Sequence, residues 1–474
     1  MYRQQRYDEC VKEVKSKLKK SPNSLHLLNY QAMAYSALKR DKEALTSYQK
    51  ILKKDPSLAG PHYNMGIILK RNGRIEESID HYKKAISLKP DYVQAYNNLG
   101  VTYKDSEKYD DAIKMFTKAK ELQPDHQNSY YNLALIKKEQ GLSEEAVTLL
   151  LKVLDLNPEH SEANYLYCLI NLQVGRWKEG WKGYEYRWKI SPHDKVIWPF
   201  RDKPVWKGEK GKRVVLWKEQ GIGDEIIFLS LVTEVKEMCA TLCVYVDPRL
   251  QSLCRRAMPE INFITDIEDL QNVECDYHLP MGRVPGLLRN DISDFDGTVK
   301  GYLKADPKRV EAIRKELKLD GKTVIGISWK SFKTKYKTKS VQLRDMERIF
   351  TGLDVVLVNL QYGDVEDEIR EFKDSTGIEV VQCSSVDNRE DLDGLAALIE
   401  VCDLVVSTSN VTVHMAGALA KETWVLLHYV SVYYWTVERN DSIWYPSLTL
   451  YRQPTLDDWD SVYVSIKKDL EARF

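Results

Sequence analysis

Five prolines, at positions 22, 56, 90, 124 and 158, stand 34 residues apart. A chain that opens on such a period does not form one unrepeated core. Each period is a small unit that buries its apolar face only by stacking on its neighbours. The same spacing carries small residues at Ala44, Ser78, Ala112, Ala146 and Gly180, and large ones at Tyr48, Tyr82, Phe116, Leu150 and Tyr184. The stretches "YNMGIILKRNGRIEESIDHYKKAISLKP" and "YNNLGVTYKDSEKYDDAIKMFTKAKELQP" show the unit in full. Each reads as two amphipathic helices, close together at the small residue, packed by the large one and stopped by the proline.

This unit resembles the tetratricopeptide repeat over residues 1 to about 188, in about five copies, the first without most of its leading helix. Stacked pairs of this kind imply a superhelix whose groove takes extended peptides or partner helices. Asn64, Asn98 and Asn132 recur at one place on three successive leading helices. An amide donates and accepts at once, so such a row suits the backbone of a bound polypeptide; the alternative is a set of solvated amides inherited with the repeat.

All eleven tryptophans lie from Trp177 onward, so a different kind of chain begins there. A proline- and charge-rich crossing at 189–210 reads as a linker. Beyond it, strands are expected at 213–217, 242–246, 324–329, 355–360, 379–383, 403–408 and 423–428, alternating with amphipathic helices. That alternation argues parallel, doubly wound sheets, one on each side of "KADPKRVEAIRKELKLDGK". The expected domains are 1–188, 211–308 and 309–474.

Net charge is zero, with 32 basic and 24 acidic residues in 1–190. This mild surplus is far from the dense basic stripe of a nucleic-acid binder. Eight cysteines are scattered without zinc spacing and read as reduced, buried thiols. The start lacks a signal-like apolar core, and no stretch approaches the roughly 20 apolar residues that span a bilayer. The compartment expected is reducing, most simply a bacterial cytoplasm.

Four strand ends carry candidate chemistry, because ligands of such sheets collect at the carboxyl ends of strands. The first is "EQGIGDEIIF" at 219–228, where Gln220, Gly221 and Gly223 form a tight turn and Asp224 is either a helix N-cap or a general base. It is neither a dinucleotide nor a Walker motif. The second is Ser409, Asn410, Thr412 and His414, in which small polar groups and backbone N–H groups at a helix start suit a diphosphate; His414 reads either as a further anion contact or as a core histidine. The third is "GISWKSFKTKYKTKS", where Ser328 and Lys330 lead a lysine run that is either a solvated loop or a phosphate neutraliser. At the fourth, Gln361 and Tyr362 are placed to meet a base or ribose. The triplets DFD (294–296) and DLD (391–393) are set aside as metal motifs, since neither follows a clear strand.

Taken in order, "EQGIGDEIIF", "YVDPRL", "GISWK", "NLQYGD", "DLDGLAALIEVCDLVVSTSNVTVHMAGALAKETWVLL" and "WYPSLTLYRQ" resemble the bacterial tetratricopeptide proteins whose second half is similar to lipopolysaccharide heptosyltransferases. The likeness runs over nearly the whole chain. It implies a GT-B fold: two Rossmann-like domains facing a cleft, the nucleotide-sugar on the second, the acceptor on the first, no metal and no cofactor. It implies Asp224 as the base that takes the proton of the attacking hydroxyl. In architecture the chain also resembles O-GlcNAc transferases and flagellin-modifying transferases, which implies a protein acceptor, such as a flagellin or another surface protein, held by the repeats. The chain departs from the heptosyltransferase pattern at Ser409-Asn410, where an Asp-Thr pair is common, and at Ala420-Lys421-Glu422, where GKP is common. Two rival readings stand beside a protein glycosyltransferase: an adaptor whose transferase half has decayed, and a transferase acting on a glycan or lipid.

Overall fold

The computed structural model describes residues 6–190, 200, 202–297, 301–319, 321–331 and 339–474, in two compact units, 1–163 and 164–474. The first unit is helical throughout. After the helix Tyr7–Lys20 come the pairs Leu25–Ala37 with Asp41–Lys54, Ala59–Arg71 with Ile75–Leu88, Val93–Asp105 with Tyr109–Leu122, and Gln127–Glu139 with Ser143–Leu156. Each second helix ends two residues before its proline, as the ruler requires. The residue before the proline is extended, with φ −140° at Asp55 and −139° at Gln123, because the proline ring excludes the helical conformation there.

The large residues of the period are met by glycines of the leading helices that the sequence reading did not single out. A Cβ on Gly66 would stand 2.6 Å from the Tyr82 ring, and one on Gly100 would stand 2.7 Å from Phe116. Tyr82 and Phe116 are fully buried, so these two pairs of helices each close on an aromatic ring seated against bare backbone. A second 34-residue register joins the first: Lys39, Gly73, Glu107, Gly141 and Gly175, all between paired helices, hold positive φ of 56° to 79°. Glycine meets that demand without strain at three of the five.

The second unit opens with the end of the helix Ser161–Gln173 and the six-residue helix Trp177–Lys182. The sequence reading ends the helical part at 188, whereas the compact units divide at 163. The reason is the tryptophans: Trp177, Trp181 and Tyr184 are buried in the same core as the sheets, and Trp181 Nε1 donates to the Arg289 carbonyl at 2.7 Å. Of the expected linker, 191–199 and 201 lie outside the described residues. Val205 forms a parallel bridge to His278 and so joins the edge of a sheet.

Two parallel sheets follow. The first has β1 (Arg213–Trp217), β2 (Thr241–Tyr245), β3 (Asn262–Ile264) and β4 (Tyr277–Pro280) in the order β3-β2-β1-β4. The second has β5 (Val324–Ser328), β6 (Val356–Asn359), β7 (Val380–Val381), β8 (Leu404–Thr408), β9 (Thr423–Leu427) and β10 (Leu448–Arg452) in the order β10-β9-β8-β5-β6-β7. Counted from β5, this is the doubly wound order in which the chain winds one way from the first strand and then the other way from its opposite side. β3, β4 and β10 were not anticipated; the first two are only three and four residues long. Each sheet has a switch point, between β1 and β4 in one and between β5 and β8 in the other. Ligands of such sheets lie at those points.

Candidate functional site

The turn after β1 leads into the helix Ile222–Leu229, whose N-cap is Gly221 and whose third residue is Asp224. Asp224 is therefore not the N-cap; it sits in the first turn, where the helix dipole favours a carboxylate. Gly221 has φ −75°, so its freedom from a side chain is not needed for a left-handed turn. Gly223 has another reason to be glycine. A Cβ there would stand 2.8 Å from His414 Cδ2, on the helix Val411–Ala418 of the second sheet. The helix that opens the first sheet and the helix that follows β8 meet at this point.

Around Asp224 the unit gathers buried tyrosines. Tyr184 Oη lies 3.1 Å from Tyr433 Oη and exchanges hydrogen bonds of 3.0 and 3.2 Å with the Gln220 amide. Burial, with the Asp224 charge as a smaller contribution, raises the hydroxyls of Tyr184, Tyr433 and Tyr445 well above the ordinary tyrosine value. They stay protonated and can only donate toward a carboxylate. Gln220, expected beside an acceptor, is held in place by this group. Next to Asp224, Glu225 is buried and accepts from the Asp247 backbone N–H at 2.7 Å; burial pushes its carboxyl up to about 7.

At the switch point of the first sheet a charge pair fills the space between β1 and β4. Arg187, 8% exposed at its side chain, meets Glu219, 1% exposed, in a two-pronged pair. Glu219 also accepts from Trp188 Nε1 at 2.7 Å and from the Gly282 N–H at 3.1 Å. The sequence reading passed over both members, which are 32 residues apart; the signal was an arginine in the aromatic "GYEYRW" and an acid at a strand end.

The strand ends at the switch point of the second sheet carry neutral side chains among the described residues. Asn410 caps the helix Val411–Ala418 by accepting from the Thr412 N–H at 3.0 Å, and its Nδ2 donates to Ser328 Oγ at 2.7 Å, tying β8 to β5. Ser328 Oγ donates to Gln361 Oε1 at 3.0 Å, and the same oxygen accepts from the Trp329 and Lys330 N–H groups at 2.9 and 2.8 Å. Thr412 Oγ1 donates to the Leu360 carbonyl at 3.3 Å, and Ser409 Oγ accepts from Trp435 Nε1 at 2.7 Å.

These contacts show where the expected donor residues stand. Ser328, Gln361, Ser409, Asn410 and Thr412 are all buried, and their side chains bond one another and neighbouring protein groups. Lys330 turns to Glu368, which also accepts from Trp329 Nε1 at 2.9 Å, so its charge is spent on the following helix Glu366–Thr376. Tyr362 is half-buried beside them. His414 is a buried core histidine: its Nδ1 lies 3.1 Å from Tyr445 Oη, its ring stacks on Trp435 at 5.5 Å, and burial pushes its pKa down to about 3. A neutral imidazole adds no positive charge to an anion site.

Lys339 is a cation that lies near: its charge is felt at His414, and it borders a small hollow with Ser409, His428 and Ser431. Thr408 Oγ1, fully buried at the end of β8, has no hydrogen-bond partner among the described residues. Lysines 333, 335 and 337 lie outside the described residues.

The triplet acids have other duties. Asp391 pairs with Arg309, and Asp393 with Arg256 across from the first sheet; Asp294 closes a capping box with Asp291. Among the described residues no three His, Cys, Asp or Glu side chains gather as a metal site, and no helix is long and apolar enough to cross a membrane. All eight cysteines are buried free thiols.

In the first unit, Asn64, Asn98 and Asn132 are half-buried on their leading helices. Asn98 Nδ2 donates to Tyr63 Oη at 3.0 Å, Asn132 Nδ2 donates to Asn97 Oδ1 at 3.2 Å, and Asn97 Nδ2 to Asn98 Oδ1 at 3.4 Å. The amides form an oriented chain of their own, reaching over two repeats through Asn97.

Comparison with known families finds helical repeats in the N-terminal part of this chain. Tetratricopeptide repeat models match residues 30–57, 93–126 and 127–160, and a TPR repeat model matches 68–107. The N-terminal part is thus a run of tetratricopeptide repeats. The chain is 30% identical over 315 residues to Protein FlbA of Caulobacter vibrioides, an alignment that covers 61% of this chain and 51% of FlbA. The chain spans about half the length of that relative. A share of 61% is more than residues 1–163 supply, so the similarity reaches into the sheet-bearing unit. Among solved structures, MamA is 26% identical, with 33% of this chain and 91% of MamA covered at a TM-score of 0.31. YrrB, a TPR protein with an unusual peptide-binding site, is 18% identical, with 38% and 93% covered at 0.32. The type IV pilus biogenesis factor PilW is 21% identical, with 42% and 90% covered at 0.36.

Proposed function

We propose that this chain is a metal-independent, inverting glycosyltransferase of the GT-B type that moves a sugar from a nucleotide-sugar to a hydroxyl of a polypeptide held by its repeats. The observation that carries this reading is the meeting of two strand-end helices at Gly223 and His414, which sets an acid-bearing turn opposite strand ends that carry neutral side chains. Asp224 takes the proton as the acceptor oxygen bonds to the sugar's anomeric carbon. The bond from that carbon to the phosphate breaks on the other side, and the nucleoside diphosphate leaves with the electron pair. Such a leaving group needs alignment and a positive field more than bond chemistry. The start of the helix Val411–Ala418 and Lys339 are suited to supply that field, and the unsatisfied Thr408 hydroxyl suits a polar ligand.

Asn64, Asn98 and Asn132 hold the acceptor backbone in this reading, with Asn98 and Asn132 oriented by the amide chain through Asn97. The test has two arms. Thermal-shift screening of nucleotides and nucleotide-sugars identifies the donor, and mass spectrometry of co-expressed candidate acceptors, flagellins among them, identifies the product. Changing the three asparagines to alanine should weaken a protein acceptor by roughly 1.5 to 4.5 kcal/mol if the bonds add, with donor hydrolysis unchanged. Equal loss of both activities sinks the groove assignment.

One observation favours the adaptor reading: the polar side chains expected to bind the donor are engaged among themselves. A chain that binds no nucleotide-sugar in the screen, and hydrolyses none, is that adaptor.

A further inference from the structure

The second unit holds a cavity away from the Asp224 turn. It measures about 470 Å³, within the range of built ligand sites. One wall is the helix Trp177–Lys182 and the turn after it; the other is the strip 205–207 and the segment after β4, from Gly282 to Asn290.

Its lining has a definite chemistry. Trp181, Trp206, Leu279 and Leu287 give it an apolar floor, and Trp181 and Trp206 are held rigidly, their indole N–H groups bonded to the carbonyls of Arg289 and Glu209 at 2.7 and 2.9 Å. Four cations, Lys178, Lys182, Lys207 and Arg283, surround that floor against a single acid, Glu185. Glu185 is paired with Arg283, and Lys182 with Glu179 at 2.8 Å. Among the described residues neither Lys178 nor Lys207 pairs with a carboxylate. Two ammonium groups without an ion-pair partner among those residues, with the Lys207 charge felt at the neighbouring Glu209 carboxylate, stand beside rigid indoles and select a ligand that is anionic and partly apolar.

The position narrows the choice. Tyr184 belongs to both places: its ring lines the cavity, while its hydroxyl bonds Gln220 and Tyr433 and its titration feels the Asp224 charge. Gly282, also in the lining, abuts Glu219 and Gln220 at the first switch point. A ligand bound here adjoins the acceptor side of the proposed reaction, not the donor side.

We propose that the cavity formed by Lys178, Trp181, Lys182, Trp206, Lys207 and Arg283 binds an acidic segment of the acceptor polypeptide, carboxylates on the lysines and an apolar side chain over the indoles. The proposal rests on the reading of the chain as a protein glycosyltransferase. It adds what the acceptor must carry: acidic and apolar residues close to the modified hydroxyl.

The probes are two short fluorescein-labelled peptides, one alternating glutamate with leucine and tyrosine, the other carrying lysine in place of glutamate. Fluorescence anisotropy with the full chain should show the acidic peptide binding at least about tenfold tighter, a preference that shrinks as salt is raised. Lys178→Glu with Lys207→Glu should lower that affinity by about tenfold or more, and Lys178→Gln with Lys207→Gln by less. Both lysines are exposed, so circular dichroism and melting temperature should stay as in the parent. The same charge change at Lys308 and Lys322, exposed and outside the lining, should leave peptide binding alone. Equal binding of the two peptides, or an unchanged affinity after reversal at 178 and 207, overturns the proposal whatever the transfer assay gives. Asp224→Asn separates the two ideas: it should abolish transfer and keep wild-type affinity for the acidic peptide. If transfer survives in that variant while the acidic peptide still binds selectively, the base assignment fails and the cavity assignment stands.

Discussion

The two switch points differ in how they are filled. Between β1 and β4 the space holds a buried ion pair, Arg187 with Glu219, and carboxylates crowd the turn that follows: Glu219, Asp224 and Glu225 within seven residues. Between β5 and β8 the space holds a neutral amide and hydroxyl network, Ser328, Gln361 and Asn410, with no carboxylate among them. The same fold rule puts a ligand at both places, and in the proposed reading one edge supplies the proton acceptor and the other receives the anion. In that reading the carboxylates of the turn at 219–225 disfavour a phosphate beside Asp224, and a base would be misplaced on the second edge. The division of labour is in the residue types.

The contrast is broken hardest at the ion pair. Arg187→Ala leaves Glu219 as an uncompensated buried charge and should cost about 3 to 5 kcal/mol of stability, read by urea denaturation of the 164–474 signal. A loss below about 1 kcal/mol would mean that the pair is solvated and does not anchor this edge.

A smaller effect comes from Glu225. Its folded pKa, about 7, lies above the ordinary value of 4.5, so the native state holds a proton that the unfolded chain releases. Stability should be fully present below pH 4.5 and should fall as pH rises toward 7, by on the order of 2 to 3 kcal/mol. Glu225→Gln keeps the acceptor for the Asp247 N–H and should flatten that stretch of the curve. An unchanged slope in the variant would assign it to another group.

The neutral edge should respond least. Ser328→Ala removes a donor to Gln361 and strands one N–H of Asn410, a cost of about 1 to 3 kcal/mol, without the pH dependence that Glu225 gives the other edge. A collapse comparable to that of Arg187→Ala would erase the distinction between the two.

The repeats were legible because their signal is local and recurs: proline, small residue and aromatic sit within one helix pair and are written five times over. The left-handed register was partly visible, in Gly73, Gly141 and Gly175, but Lys39 and Glu107 hide the remaining two positions. The long apolar strands were legible for the same local reason, and β3, with three residues, was not. The site was legible only as backbone. Asp224, Asn410 and Gly223 stand at the turns where their motifs placed them, yet what each side chain touches depends on distant partners. Asn410 meets Ser328 across 82 residues, and Tyr184 meets Tyr433 across 249. Nothing in the spacing of "KSFKTKYKTKS" tells that Lys330 faces Glu368 while Lys339 lies nearer His414. His414 was readable as either core or ligand, and its stacking on Trp435 decides for core.

The account turns on Asp224 as the base of the acid-bearing edge. The direct measurement is sugar transfer to an intact protein acceptor by Asp224→Asn beside the parent chain, with urea denaturation of both on the same preparations. Transfer should fall by about 100-fold or more, while stability changes by no more than the ~1 kcal/mol that a first-turn carboxylate gives a helix. Transfer at the parent rate, in a variant that folds as well, would return Asp224 to a structural role and leave the two edges without a division of labour.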